Sequence, residues 1–292
     1  MLFRSYSFGP DDGSAMRARL RNAATGFFDI ARHSNVAAAR AIHENRIDIL
    51  VDLKGYTQGA RPQIMALRPA PVQINWLGYP GTMGMAQIDA IIADSFIIPE
   101  GAEAGYSERI VRLPDCYQIN DRHRRVASPP TRSECGLPEE GFVFCCFNQS
   151  YKILPDVFAA WLRILNAIPG SCLWLLETNA WAVRNLRNVA AAQGIAGDRL
   201  VFAPVRPLDQ HLARYCVADL ALDTFPYTSH TTGSDALWAG CPLVTCAGET
   251  FASRVAGSLL RAAGVPELAT RSLNEMECLA IDRKSTRLNS SH

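Results

Sequence analysis

Short apolar runs alternate with amphipathic stretches along most of this chain, and the alternation is cleaner in its second half than in its first. Residues 2–8 read as a strand, and residues 14–24 and 34–45 as helices. A short apolar strand over 47–53 runs out at Asp52, Lys54 and Gly55, and a helix over 59–67 is stopped by Pro69 and Pro71. Buried strands are predicted at 72–77, 88–93 and 109–113. Beyond residue 142 the prediction is strand 142–147, then helix 155–167 with Val157, Trp161 and Leu165 on one stripe, then strand 172–176. Helix 181–193, strand 200–203, helix 208–216, strand 219–223, helix 231–239 and strand 242–245 continue the series, closed by a long helix from about 250 to 263. Strands joined by helices over short connections specify an α/β fold, with mostly parallel sheets covered on both faces.

The polar stretch Asn120–Glu140, with Pro129, Pro130 and Pro138, is the natural boundary between two lobes, placed at residues 1–126 and 127–282. A length of 292 residues suits two such lobes. The last residues, 283–292, lack periodicity and are expected to be a non-native tail carrying no fold information.

Composition then removes function classes. With 29 Lys and Arg against 28 Asp and Glu, the formal charge is +1, so no global field invites nucleic acid. The run Arg122-His123-Arg124-Arg125 is expected to be a solvated linker rather than a phosphate or acceptor contact. Nine cysteines include adjacent Cys145 and Cys146 in an apolar run and no C-x-x-C pair, the usage of buried free thiols in a reducing compartment. No run approaches the ~18 apolar residues of a membrane span and no signal peptide is evident, so a cytoplasmic protein without membrane partners is expected. No Walker A, G-x-G-x-x-G, G-x-S-x-G or H-E-x-x-H pattern occurs, and no spacing demands a metal.

In open parallel sheets ligands bind outside the carboxyl ends of strands, where loops feed helix N-termini. The loop Phe147–Lys152 supplies a cation, Lys152, just before Pro155; its alternative is a solvated lysine beside capping Asn148 and Gln149. After strand 200–203, backbone near Val205 and Arg206 could hold a base ring with His211, although a lone His on an early helical turn is more often structural. The richest loop runs from Asp223 to Asp235. His230, Thr231 and Thr232 open a helix there and could gather N–H groups and hydroxyls around a diphosphate, with Asp235 accepting a ribose hydroxyl. Ordinary N-capping by a threonine, with Asp235 favouring the helix dipole, is the alternative. Glu249 sits in a similar helix-opening segment, Gly248–Thr250. In the first lobe, Gly78-Tyr79-Pro80-Gly81-Thr82 forms a tight turn after strand 72–77.

These loops carry a resemblance. Lys54-Gly55-Tyr56-Thr57, Leu67-Arg68-Pro69-Ala70-Pro71-Val72-Gln73, Trp76–Thr82, Phe147-Asn148-Gln149 with Lys152, Leu173–Leu176, His230–Gly233, Leu237–Gly240 and Gly248–Val255 occur in one order. In this the chain resembles the catalytic region of the O-linked N-acetylglucosamine transferase family, especially bacterial members with upstream tetratricopeptide repeats. The resemblance implies a GT-B-like architecture of two Rossmann-like lobes, here expected to be incomplete at the N-terminus of the first and the C-terminus of the second. It implies inverting transfer of N-acetylglucosamine from UDP-GlcNAc, or another UDP-sugar, to Ser or Thr hydroxyls of a protein acceptor, with no metal and no cofactor beyond the donor. Gln149 and Lys152 then become the pair at the diphosphate, with Lys152 offsetting leaving-group charge. His211 lies beside the uracil with Val205 and Arg206, and His230, Thr231 and Thr232 bind the diphosphate. Asp235 contacts the ribose, and Gly78, Tyr79, Pro80, Gly81 and Thr82 face the donor sugar. Against the family pattern, a His-Pro segment of the first lobe is absent, Gly26 stands where a histidine often precedes the aromatic pair Phe27-Phe28, and Leu208 stands where a lysine can lie near the nucleotide. Little turnover is therefore expected of this stretch alone. The alternatives are a cytoplasmic protein N-glucosyltransferase using UDP-glucose, and a nucleotide-sugar-binding fragment without catalysis.

Overall fold

A computed structural model describes residues 2–289. The chain divides into two compact units, one reaching to Ala93 and including Pro99–Leu113, the other combining Asp94–Ile98 with the chain from Pro114 onward. The division thus falls ahead of the expected 126/127 boundary, and the polar stretch that follows Pro114 belongs to the second unit.

In the first unit, β1 (Arg4–Ser7) and β2 (Gly26–Asp29) pair in parallel on either side of α1 (Ala15–Ala23). β2 was not expected: a single glycine, two aromatics and an aspartate are too short to show a period. Ser14 starts α1 by accepting the Arg17 N–H, and Ser34 starts α2 (Asn35–Glu44) by accepting that of Ala37. Ala38, Ala39 and Ile42 of α2 bury against Ile30 and Ile64. A four-stranded sheet follows in the order β3 (Ile49–Asp52), β4 (Val72–Asn75), β5 (Ala90–Asp94), β6 (Arg109–Leu113), with α3 (Pro62–Ala66) between β3 and β4. β3 pairs β4, and β4 pairs β5, in parallel.

The second unit is built on a six-stranded sheet in the order β12-β11-β10-β7-β8-β9, comprising β7 (Val143–Cys146), β8 (Cys172–Leu176), β9 (Leu200–Ala203), β10 (Leu220–Leu222), β11 (Leu243–Cys246) and β12 (Ala269–Thr270). All its pairings are parallel. Read from β9, the first three strands step inward to β7 and the next three step outward from β10. This is the doubly wound order, whose ligand crevice lies where the stepping reverses, between β7 and β10. The helices are α4 (Pro155–Ala167), α5 (Ala180–Ala192), α6 (Leu208–Arg214), α7 (Thr231–Trp238), α8 (Val255–Ala262) and α9 (Leu273–Asn289). Val157, Trp161 and Leu165 of α4 are buried on the predicted stripe, in one core with all of β7 and with Leu173, Trp174 and Leu175 of β8. Burial of each such side chain is worth ~1.5–3 kcal/mol.

Two expectations at the carboxyl end change. The long helix over 250–263 is split, because Thr250 and Ser253 cap each other reciprocally around the 3-10 turn Phe251–Ser253, and α8 begins only at Val255. β12 and α9 were not expected; Met276 and Ala280 of α9 are buried in the core. Of the stretch 283–292, read as a non-native tail, α9 takes the backbone to Asn289, and residues 290–292 lie outside the described residues.

Candidate functional site

The reversal point is marked by buried polar groups. Asn148 lies two residues beyond the end of β7 and Asp223 directly follows β10, both almost without exposed surface. The Asn148 amide donates to the Ser229 hydroxyl at 2.7 Å and the Thr224 hydroxyl at 3.1 Å, and its carbonyl accepts from the Thr232 hydroxyl at 2.6 Å. Asp223 accepts from the Ser229 N–H and hydroxyl at 2.7 and 2.6 Å, the Thr224 N–H at 2.8 Å and the Thr245 hydroxyl at 2.6 Å. Burial raises the Asp223 carboxyl above its usual range, against the pull of these bonds. A group so costly to bury is tolerated because it is hydrogen-bonded on every side. Its structural effect is to fix the turn from Thr228 to Thr232 from beneath.

On that turn stand three of the expected residues. α7 starts at Thr231 with His230 as its N-cap and no side-chain cap, its first helical bond running from the Ser234 N–H to the His230 carbonyl. Capping by Thr231 or Thr232, the alternative weighed for these threonines, is therefore not what they do. Thr232 bonds across to Asn148, and Thr231 is exposed. No side chain caps the N–H groups of the first turn, and uncapped helix-opening N–H groups attract anions.

Lys152 follows β7 in the 3-10 turn Ser150–Lys152, donates to the Thr228 carbonyl at 3.2 Å and lies 4.1 Å from the centroid of the Tyr227 ring. Burial lowers its pKa, with buried Asp223 pulling the other way. The opposite face of the question, a solvated lysine, is thus not met. Tyr227 also stacks on His230 at 4.8 Å, and the His230 ring faces the Ala252 carbonyl at 3.3 Å. Burial and the Lys152 charge push His230 down to about 4, so its ring is neutral near neutral pH.

A second cluster adjoins the first through α7. His211, on α6, packs its ring on Phe147 and Tyr215, and burial with the Arg214 charge pushes it down to about 4. Its Nε2 is 3.8 Å from Asp235, too far for a hydrogen bond and not an ion pair while the ring is neutral. Asp235 is instead bonded by Arg124, and burial raises its carboxyl while that bond lowers it. The run at 122–125 is therefore not wholly a solvated linker: Arg122, His123 and Arg125 are exposed, but the Arg124 side chain is 10% exposed. Gln149 is exposed at the cap of the 3-10 turn, and Val205 and Arg206 are exposed in the loop between β9 and α6. Glu249 is exposed, as are His33 and His43.

Gly78, Tyr79, Pro80, Gly81 and Thr82 lie in the first unit. A Cβ on Gly78 would stand 2.2 Å from the Leu53 carbonyl oxygen, so the turn crosses the end of β3 only as glycine. Asn75 donates to the Gly81 carbonyl at 3.1 Å, and buried Glu108 accepts from the Thr82 hydroxyl at 2.6 Å and the Met83 N–H at 2.5 Å. Among the described residues, no group of three or more His, Cys, Asp or Glu is placed to hold a metal, and no helix is long and apolar enough to cross a membrane.

The missed residues are those that organise rather than face the site: Asp223, Arg124 and the amide of Asn148. The one signal for the first and last was present, since polar residues follow two strands that become neighbours in a doubly wound order.

A doubly wound parallel sheet with a polar, helix-opening turn at its reversal point defines a Rossmann-like α/β unit. The chain belongs to glycosyl transferase family 41, whose profile it matches over residues 2–129 and 125–289. It is 41% identical over 283 residues to the Arabidopsis thaliana probable UDP-N-acetylglucosamine–peptide N-acetylglucosaminyltransferase SEC, covering 94% of this chain and 29% of that protein. Against the Arabidopsis probable UDP-N-acetylglucosamine–peptide N-acetylglucosaminyltransferase SPINDLY, identity is 36%, covering 85% of this chain and 27% of the relative. Among solved structures, a mutant O-GlcNAc transferase from Thermobaculum terrenum superposes with a TM-score of 0.88 at 34% identity, covering 96% of this chain and 53% of that one. Anabaena HepE in complex with UDP shares the fold at a TM-score of 0.53 and 12% identity, over 99% of this chain and 92% of its own. The fold is thus the GT-B-like α/β architecture with parallel sheets, and the chain spans less than a third of the length of its curated plant relatives.

Proposed function

We propose that the second unit binds a UDP-sugar, and that the protein transfers N-acetylglucosamine from UDP-GlcNAc to Ser or Thr hydroxyls of a protein acceptor with inversion. The observation that carries this is the turn Thr228–Thr232, held from beneath by Asn148 and Asp223, with its helix-opening N–H groups uncapped by any side chain and Lys152 bonded to its Thr228 carbonyl. The activities of the relatives, UDP-N-acetylglucosamine–peptide N-acetylglucosaminyltransferases by name, suggest the sugar and the peptide acceptor.

In this reading the diphosphate meets the N-terminus of α7, where Thr231, Thr232 and neutral His230 donate or accept hydrogen bonds, and the Lys152 ammonium faces the departing phosphate with Gln149 beside it. As the glycosidic bond to the diphosphate lengthens, negative charge grows on the leaving oxygen. A cation already desolvated and oriented stabilises that charge more than it stabilises the bound donor, which is the condition for acceleration. Lys152 is suited to this because the Tyr227 ring and the Thr228 carbonyl hold it, so little reorganisation is left to do. Asp235 accepts a ribose hydroxyl, and His211 flanks the base with backbone near Val205 and Arg206. All nine cysteines are unpaired, in keeping with a reducing, cytoplasmic setting. Tetratricopeptide repeats accompanying the parent protein and delivering its acceptors complete the proposal.

The test is transfer from radiolabelled UDP-GlcNAc to a Ser- and Thr-containing peptide, run beside UDP-glucose with an Asn acceptor. Label on a hydroxyl, abolished by Lys152→Ala, is the expected result. Label on Asn from UDP-glucose alone would replace the O-GlcNAc assignment.

A further inference from the structure

Arg124 is joined to α7 in a way its sequence setting does not announce. One guanidinium nitrogen donates to Asp235 Oδ1, and the guanidinium carbon lies 5.0 Å from the centroid of the Trp238 ring, one helical turn along. Four residues earlier, Asn120 accepts from the Ser234 hydroxyl. The segment 120–124 is thereby pinned to two consecutive residues of α7. As a purely structural tie this is poorly made. Nε and the second terminal nitrogen of Arg124 are buried and find no hydrogen-bond partner among the described residues. A buried ion pair of this kind adds little to stability over an apolar substitute. What it does accomplish is orientation: with Oδ1 held, the other oxygen, Oδ2, is turned toward His211, which stands at 3.8 Å and does not bond it.

We propose that Arg124 is a positioning residue for nucleotide recognition, gripping Asp235 Oδ1 so that Oδ2 is presented, charged, to a ribose hydroxyl of the bound nucleotide. This rests on reading the α7 turn as a nucleoside-diphosphate site. The chemistry is direct. A hydroxyl bonds an ionised carboxylate about twice as strongly as a neutral acceptor. Without a cation beside it, a carboxyl as buried as Asp235 would take up a proton or rotate toward solvent.

The test compares binding of UDP and 2′,3′-dideoxy-UDP to the full chain by calorimetry. The expected result is a wild-type preference for UDP of about tenfold, the scale of one hydrogen bond to a charged group. Arg124→Gln should bring that ratio to within about twofold while leaving dideoxy-UDP affinity unchanged, and Arg124→Lys should fall between, as expected for a charge without the fork. A merely structural role would weaken both nucleotides together. If Arg124→Gln does not fold, the Arg124→Lys ratio decides, a wild-type value overturning the proposal. UDP affinity that falls on Lys152→Ala, with the ratio unmoved by Arg124 substitution, overturns the proposal alone. A wild type that binds no UDP overturns the site reading and the proposal with it.

Discussion

The turn after β4 and the turn before α7 both carry hydroxyl groups beside a tyrosine, yet their polar atoms are engaged in opposite directions. In Gly78–Thr82 the bonds run inward: Asn75 takes up the Gly81 carbonyl, and Glu108 collects the Thr82 hydroxyl and the Met83 N–H. In Thr228–Thr232 the inward side is held by Asn148 and Asp223, while Thr231 is exposed and no side chain caps the opening N–H groups of α7. Composition alone does not separate a turn that is complete in itself from one that still offers donors. The side from which the turn is braced does.

That contrast can be broken at several points. The largest effect is expected from Asp223→Ala, which leaves the Ser229, Thr224 and Thr245 donors facing a cavity. A loss of about 3–5 kcal/mol in urea unfolding is expected, and a loss under about 1 kcal/mol would show that the brace is dispensable. Next is pH. His211 and His230, each about 4 when folded and 6.5 as the reference, are held neutral by burial. Between these values the unfolded chain binds protons that the folded chain does not, so stability is full above pH 6.5 and falls as the pH drops toward 4. His230→Gln should remove about 2 kcal/mol of that decline, measured as the change in unfolding free energy between the two ends of this range. Glu108→Gln should cost about 1–2 kcal/mol by leaving a donor facing donors, with UDP affinity unchanged; an altered affinity would make the first turn less self-contained than its bonds indicate. The smallest pair is the sharpest. Thr232→Ala should lower stability by about 1 kcal/mol through its lost bond to Asn148, whereas Thr231→Ala should leave stability unchanged and weaken UDP binding. Equal behaviour of the two would dissolve the distinction between braced and exposed groups.

Much of this architecture was legible in the chain because the alternation of β7 to β11 with their helices follows local period and punctuation. Pro155 starts α4 where expected, and the α4 stripe is the buried one. What stayed hidden depends on partners distant in sequence or on elements too short to show a period. β2 and β12 are of the second kind. The helix expected from 250 was split by a reciprocal Thr250–Ser253 cap that competes with continued helix. Within the candidate site, His230, Thr231, Thr232 and Lys152 were singled out because they stand at strand ends and helix starts. Arg124 was not, since its carboxylate lies 111 residues away and its neighbours read as solvated charge. Asp223 and Asn148 acquire their meaning only when β7 and β10 become neighbours.

The short segment Asp94–Ile98 carries a consequence for how this chain can be cut and exchanged. Asp94 accepts the Tyr117 N–H and the Ser258 hydroxyl, Phe96 fills the notch left by Gly257, and Arg254 donates to the Phe96 carbonyl at 2.6 Å. A polypeptide beginning at Pro114 would leave α8 with an empty notch and stranded donors. The transplantable module for chimeras between family members is therefore discontinuous, and a crossover placed after residue 98 would mix parents inside a single core. Recombination that respects it has to carry the short segment along with the distant half it completes.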